Sequence, residues 1–495
     1  MLSIVIFLPV AVAVILAVFA RIPPATARWV WLVATIVDLA LMIAITVTPP
    51  LGGDGLSREE QLEWMPGIGT SYHIGLDGFS LPLVLLTGVI FVVTAVWSLR
   101  ATDRPRAQAA LFLFLQTTCL GLFAAQDLIL FFLWFDLSIV GMYFLIAGWG
   151  HGNARRSALK FFLYTFLGSL ALLLGFIGLY LNSSPHTFDM VELSRDGAFT
   201  GNPMVGGLIL IVIVIGLVIK TPTFPFHSWL PPAHTDAPAI GSVVLASVML
   251  KMGTYGFVRI AMPMLPDAWR AGAWVIVAVG IVSVLYGALV ALAQTDVKRM
   301  IAFTSVNHMG YVVLAVGAAG IVAQDNEQAQ HLALTGAVIQ MVSHGLITGA
   351  LFLLAGVFWT RTGSYDLREY GGLASSAPSF AGFFAVAAFA SLGLPGFSGF
   401  IAEFQIFTGS IGLTLWAALA LPGILITAVL FLRAFQRVFT GPTAGLSPGF
   451  DDLRRYEIVP LVVLLGLSVL IGILPGPLIE LIAPASTQLI GVLSP

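Results

Sequence analysis

The sequence predicts an all-α polytopic membrane protein of about fourteen transmembrane helices. Three observations carry that prediction. Of 495 residues, 58% are hydrophobic and 9% are charged, against roughly 25% charged in an ordinary soluble domain. With a mean hydropathy of +0.99, the chain has too few polar side chains to cover a water-facing surface. Apolar runs of about the 20 residues a bilayer requires recur along the whole chain. The basic residues, finally, are sorted between alternate loops.

The runs, in order, are 2–20, 29–48, 79–98, 108–125, 128–147, 158–181, 205–221, 236–258, 271–293, 300–319, 329–357, 374–407, 411–432 and 456–474. The first lacks a positively charged start and a small-residue cleavage site, so it reads as a retained helix and not as a signal peptide. The two longest runs, 329–357 and 374–407, are expected to bend or break. Alternate loops beginning with 21–28 hold Arg21, Arg28, Arg100, Arg104, Arg106, Arg155, Arg156, Lys298, Arg299, Arg361, Arg368, Arg433, Arg437, Arg454 and Arg455. The other loops hold only Arg58, Arg195, Arg259 and Arg270. The positive-inside rule then puts both termini outside the cytoplasm, in the cell's inner membrane. Loop 49–78, with Asp54, Glu59, Glu60 and Glu63, falls on the outer side with loop 182–204. The C-terminal stretch LIELIAPASTQLIGVL is expected to pack along the same outer surface. A net charge of −2 gives nucleic acid nothing to bind. The single cysteine, Cys119, excludes a disulfide framework and any multi-cysteine metal cluster.

Within the runs stand side chains that a bilayer tolerates badly. An ionisable group near the membrane centre costs at least about 2.5–3.5 kcal/mol and usually faces a protein interior or a water path. Asp136, Lys220, Lys251, His308, His344 and Glu403 are such groups, on spans five, seven, eight, ten, eleven and twelve. Of 22 basic residues only Lys160, Lys220, Lys251 and Lys298 are lysines, and three of those four lie at or within spans. Arginine stays protonated in proteins, whereas a buried lysine can release its proton. Lysine inside and arginine in the loops therefore suits a proton relay better than a static ion pair. Asp38, in span two, is expected to hydrogen-bond a neighbouring helix and to take no part in transport. Lys160 has two readings, support of the sixth helix or snorkelling to the interface.

Two breaks interrupt the runs. Pro222 and Pro225 follow Lys220 directly, and Leu392-Gly-Leu-Pro-Gly-Phe-Ser-Gly399 precedes Glu403. Proline removes a backbone donor and disturbs a helix. Irregular backbone at membrane depth survives only where protein or water covers it. A matched pair of breaks points to an inverted-repeat transporter core. The predicted organisation is helices one to three over residues 1–107, a first five-helix repeat over 108–260, a second, inverted one over 261–437, and helix fourteen with the C-terminal segment over 438–495. Helices seven and twelve are the discontinuous ones. His227 and His234, beside the first break, are expected to bond carbonyls freed by the prolines. Their other reading is proton uptake from the cytoplasmic side.

The stretch KTPTFPFHSWLPPAHTDAPAIGSVVLASVMLKMGTYGFVR (220–259) resembles the signature of the antiporter-like membrane subunits of respiratory complex I, the proton-translocating NADH–quinone oxidoreductase. GLDGFSLPL near 75, GMYFLIAGWG near 141, VLYGALVALAQTDVKRMIAFTSVNHMGYV at 284–312, GAVIQMVSHG at 336–345 and SLGLPGFSGFIAEF at 391–404 agree, so the resemblance covers essentially the whole chain. The wording is most similar to the subunits called M, or chain 4 in mitochondria. The long lateral helix of subunit L is absent from the chain. The resemblance implies that Asp136 stands where the family has an essential glutamate on helix five. Lys220 and Lys251 are then the lysines of helices seven and eight, and His308 and His344 the central histidines. Glu403 matches the glutamate that M carries on helix twelve, where sister subunits carry lysine. Two departures stand out. Asp136 is one methylene shorter than glutamate, so contact with Lys220 must be closer or water-bridged. Pro232 replaces the usual aspartate in WLPPAH, which unsettles the hydrogen bonding of that loop.

The expected mechanism follows. Asp136 and Lys220 form a coupled pair, described by shared apparent pKa values. When the pair loosens, the proton leaves toward Lys251, and His308 and His344 relay it with water to Glu403. Histidine suits a relay because its unperturbed pKa is about 6.5. No cofactor is expected in this chain, which shows no cysteine cluster, no flavin or nicotinamide glycine fingerprint and no trusted haem ligand pair. Free energy must then arrive from redox chemistry in neighbouring subunits. The expected partners are other membrane-arm subunits, the antiporter-like L and N neighbours among them, and membrane lipids. The nearest rival is a subunit of an Mrp-type sodium/proton antiporter, with hydrogenase-linked or photosynthetic relatives next. A structural spacer and a quinone-binding subunit complete the alternatives.

Overall fold

The computed structural model describes residues 1–19, 21–47, 55–100, 103–195, 199, 202–321 and 326–494. Asp54 and the last residues of the first two expected spans, 20 and 48, lie outside the described residues, as does the Arg195 side chain. Among those described, eighteen helices form: α1 (Leu2–Val18), α2 (Pro24–Val47), α3 (Ser80–Trp97), α4 (Pro105–Ala124), α5 (Leu128–Trp149), α6 (Ala154–Asn182), α7 (Met190–Arg195), α8 (Pro203–Lys220), α9 (Leu230–Asp236), α10 (Ala239–Met264), α11 (Pro266–Leu292), α12 (Val297–Ala319), α13 (Glu327–Thr362), α14 (Pro378–Ser391), α15 (Ser398–Leu413), α16 (Pro422–Phe439), α17 (Arg455–Ile473) and α18 (Gly476–Leu493).

The starts of these helices follow from local chemistry. Pro105, Pro203, Pro266, Pro378 and Pro422 each take the first helical position, where a missing N–H costs nothing and φ is already helical. Asp127 caps α5 by accepting from the Ile129 and Leu130 amides, and Asp296 caps α12 by accepting from Arg299.

Thirteen helices are long and apolar enough to cross a membrane. Twelve of the fourteen expected runs coincide with one of them each. Run one is α1, which at 17 residues is slightly short. Run twelve is split into α14 and α15 with irregular backbone between Ser391 and Ser398. The thirteenth long helix is α18. Its contacts lie at one end of the bundle: Leu481 and Ile482 pack on Gly78 ahead of α3, Leu493 accepts from Arg270, and Thr487 Oγ1 is 3.5 Å from His331 Nε2. It therefore lies across the arginine-poor end, as the sequence suggests.

The all-α expectation misses a hairpin. β1 (Ser57–Met65) pairs antiparallel with β2 (Thr70–Leu76), Gln61 facing His73. The residues Ser-Arg-Glu-Glu-Gln-Leu-Glu-Trp carry no apolar run, so a search for membrane spans passes over them. Buried carboxylates fasten the hairpin to its surroundings. Asp127 accepts from Thr70 Oγ1 at 2.8 Å and the Ser71 amide at 3.0 Å. The buried His73 ring lies 2.5 Å from Asp189 through Nδ1 and 2.8 Å from Glu59 through Nε2.

The interior is built from the more polar helices. Every residue of α12 except Arg299 is buried, and α13 is buried from Ala333 to Phe358. The outward faces of α2, α6, α8 and α11 are apolar and exposed, as with Leu163, Leu167 and Leu174 on α6. Lipid accepts only apolar side chains, so polar and ionisable groups collect on α10, α12 and α13, which neighbours cover.

Candidate functional site: a buried row of ionisable groups

The first break ends α8 at Lys220 and resumes helix at α9. The freed backbone groups find partners on neighbouring side chains, as buried polar groups must. Trp229 Nε1 donates to the Ile219 carbonyl at 2.9 Å, the Phe224 amide donates to Ser283 Oγ at 3.0 Å, and Lys160 Nζ donates to the Ser228 carbonyl at 2.6 Å. Lys160 is thus a support of the break, not a free snorkelling cation. The two histidines do not do this work. His227 Nδ1 and both ring nitrogens of His234 have no partner, and the His234 ring stacks on Phe352 at 4.5 Å. The indole and the lysine reach the carbonyls first. Pro231 and Pro232 fall in the first turn of α9, where no amide needs an intrahelical partner, so the replacement of aspartate by Pro232 leaves the helix intact.

Lys220 is fully buried, with Nζ 3.4 Å from Ser138 Oγ and 4.6 Å from the centre of the Phe135 ring. Asp136 shares helix α5 with both, yet forms no direct ion pair with Lys220; its Oδ1 is buried without a partner. Lys220 and Lys251 do not touch either. Between them Thr221, whose hydroxyl has no partner, packs against Gly253. A Cβ on Gly253 would collide with that hydroxyl, so glycine lets α10 approach the break.

Lys251 begins the closest-knit part of the row. A π-helical turn over Leu245–Met249 precedes it in α10, a distortion frequent at functional sites. Its Nζ donates to the Ala246 carbonyl, five residues back, and lies 2.6 Å from His344 Nδ1 on α13. The His344 and His308 rings are 5.5 Å apart, edge to face. Next comes a cavity of ≈ 10 Å³, lined by His308, Gln340, Ser343, His344, Ser391 and Glu403 among others. That is close to the room one water needs. Glu403, buried on α15, lies over the second break. Gly393 there has φ +70°, and a Cβ on it would fall 2.5 Å from Glu403 Oε2, so only glycine admits the carboxyl. Hydroxyls continue from the cavity wall, with Ser343 Oγ 2.7 Å from Ser398 Oγ and Ser398 Oγ 2.8 Å from Ser468 Oγ.

Sequence reasoning missed three residues. Lys298, assigned to a loop, is fully buried at the start of α12, where it donates to the Ala237 carbonyl, lies 3.4 Å from the Thr235 carbonyl and sits 5.2 Å over the Tyr365 ring. The usable signal was its type, a lysine where other loop cations are arginine. His234 lies in the fields of both Lys298 and Lys251. His151, between α5 and α6, is 3.1 Å from Tyr365 Oη and 3.0 Å from the Asp236 carbonyl. Burial, then the charge of Lys298, push its pKa below the ordinary value. Nothing in the sequence marks His151. Thr221 is the third. Beside this end opens a recess of ≈ 420 Å³ lined by Lys160, His227, Thr235, Asp236 and Arg299.

The arginines behave differently from the lysines. Arg259, inside α10, pairs with Asp77 at 2.9 Å, and Arg361, inside α13, pairs with Glu457 at 2.6 Å, both pairs largely buried. Both were assigned to loops, and they lie where these two helices run on past the expected spans 236–258 and 329–357. They belong to static ion pairs, whereas no lysine is within an ion pair's reach of a carboxylate among the described residues.

Buried helices around a row of lysine, histidine and carboxylate, with helices interrupted beside two of its members, define a membrane ion-translocating subunit of the antiporter type. Residues 125–430 match the family model described as NADH:quinone oxidoreductase/Mrp antiporter, transmembrane, and the chain belongs to that family. It is 35% identical to NADH-quinone oxidoreductase subunit M of Rickettsia prowazekii over 97% of this chain and 96% of that protein. A chain of respiratory complex I from Thermus thermophilus superposes with TM-score 0.90 at 28% identity, all of both chains being covered. A chain of the Mrp complex from Dietzia sp. shares the fold, with TM-score 0.83 at 22% identity over 98% of this chain and 52% of that one.

Proposed function

We propose that this chain is a proton-translocating membrane-arm subunit of NADH–quinone oxidoreductase. The observation that carries the reading is the contact series Lys251–His344–His308, which ends on the water-sized cavity beside Glu403. Its one amine, on Lys251, faces a carbonyl and an imidazole, so a proton has somewhere to go and no ion-paired carboxylate to hold it. In this reading protons are taken up on the arginine-rich, cytoplasmic side by way of His151, Lys298 and His234. Asp136 and Lys220 set the charge state beside Lys251, with Ser138, Thr221 and water bridging what the side chains do not span. The two interrupted stretches belong to two inverted five-helix repeats. Redox chemistry and its cofactors reside in other subunits, and coupling reaches this chain through its membrane-arm neighbours, the antiporter-like L and N subunits, and the surrounding lipid. The chain sits in the inner membrane with both termini on the outer side.

The test is proton translocation per electron by the assembled enzyme carrying Lys220→Ala, Lys251→Ala or Glu403→Gln. Loss of translocation with assembly retained is expected, and normal stoichiometry in all three overturns the relay. The Mrp reading shares the fold, and co-purification separates the two. Peripheral NADH-oxidising subunits are expected; sodium-coupled transport without them would establish the rival.

A further inference from the structure

Asp38 lies midway along α2 and is fully buried, far in sequence from every member of the row. Among the described residues its one hydrogen bond comes from Gln116 on α4, whose Nε2 donates to Asp38 Oδ2 at 2.6 Å. The other two oxygens of the pair, Asp38 Oδ1 and Gln116 Oε1, are both buried and both without a partner. No cation forms an ion pair with Asp38 among the described residues. One hydrogen-bonded pair of side chains thus keeps two acceptors with no donor, on a carboxyl whose charged form no cation compensates among the described residues. Buried polar groups in folded proteins are hydrogen-bonded, and an isolated carboxylate at membrane mid-depth takes up a proton sooner than it stays charged.

We infer that Asp38 holds a proton of its own, closing a cyclic acid–amide pair with Gln116. The Asp38 hydroxyl donates through Oδ1 to Gln116 Oε1, and the Gln116 amide donates to Asp38 Oδ2. One proton satisfies both orphaned oxygens and removes the charge. The result is a neutral latch between α2 and α4, a proton site separate from the relay. A water bridging the two oxygens would satisfy them as well, but it would leave the carboxylate ionised.

The two states differ in the infrared. In the full-length protein reconstituted in lipid at neutral pH, the wild-type spectrum minus that of Asp38→Asn is expected to contain one protonated-carboxyl C=O band that moves down in D₂O. Asp38→Asn can make the same two hydrogen bonds, as an amide–amide pair, so its thermal midpoint and its proton translocation are expected to match wild type. Asp38→Leu and Gln116→Leu each strand a partner and are expected to lower the midpoint, or to prevent folding where Asp38→Asn does not. The absence of the band from the difference spectrum overturns the inference. So does an Asp38→Asn protein as unstable as Asp38→Leu.

Discussion

Lys298 shows how a single side chain can be placed correctly in sequence and wrongly in environment. It sits beside Arg299 at a helix start, and counting loop charges treats the two alike. The structure buries Lys298 on backbone carbonyls and leaves Arg299 toward the recess. Lys298→Met keeps the volume and deletes the amine. Proton translocation by the assembled enzyme should fall, with the transfer step slowed on the order of the 10²–10⁴-fold typical of removing a proton-transfer group. Assembly should persist, which gel analysis of the complex would check. Gly393 makes the reverse case. Its φ of +70° and the 2.5 Å approach to Glu403 leave no room for a methyl group. Gly393→Ala should destabilise the protein by about 1–2 kcal/mol from backbone strain alone and displace the carboxyl. Reduced translocation together with a lowered thermal midpoint would register both effects. Asp136, Lys220, Lys251, His308, His344 and Glu403 were legible because ionisable types stand out in apolar runs. His151 and Thr221 were not, since neither type is unusual where it lies, and only the packing of α5, α12 and α13 gives them neighbours.

At the scale of elements, the breaks were readable and their supports were not. Proline after Lys220 and the Gly/Pro cluster before Glu403 announce interruption by their chemistry. Which side chains cover the exposed backbone depends on which helices come together, and the histidines nearest in sequence proved not to be those. Trp229→Phe tests this. It retains most of the ring and removes the N–H from the buried Ile219 carbonyl, at a cost of about 1–3 kcal/mol for the stranded acceptor. Thermal unfolding should show the loss, and an unchanged midpoint would mean that water or another donor covers the carbonyl. The β1–β2 hairpin was invisible for a different reason. Its charged residues look like loop, and its order comes from carboxylates brought in from elsewhere. Burial draws the His73 pKa down, but Asp189 and Glu59 on its two nitrogens outweigh this, and the net shift is upward. A raised folded pKa stabilises fully below the unfolded value and loses that stabilisation as pH climbs through the folded one. Amide exchange in the hairpin should therefore be slow in mild acid and quicken above the raised His73 pKa by more than base catalysis explains. In His73→Gln the excess should vanish.

At the scale of the whole molecule, the span count was readable because the hydrocarbon core sets a length that every crossing helix must meet. What the bilayer does not set is which helices lie inside. Helices α10, α12 and α13 are enclosed by the rest, and their polar side chains could be read singly but not assembled into a row without the fold. The enclosing layer is tied by the two buried arginine pairs, Arg259–Asp77 and Arg361–Glu457. Arg361→Met should cost about 3–5 kcal/mol by stranding the Glu457 carboxylate, and Arg361→Met with Glu457→Met should recover much of that, as unfolding of single and double variants would show.

That no lysine forms an ion pair among the described residues has an electrical consequence. An amine with a fixed counter-ion carries a local dipole, whereas an amine facing only a hydroxyl, an imidazole or a carbonyl carries a net charge when protonated. Under the proposed function, each proton carried from one face of the membrane to the other moves one elementary charge through the field of the energised membrane. The work for a full crossing is about 2.3 kcal/mol per 100 mV. The row then acts as a load whose resistance is set by the potential it helps to build, and its turnover should slow as the membrane charges and recover when an ionophore discharges it.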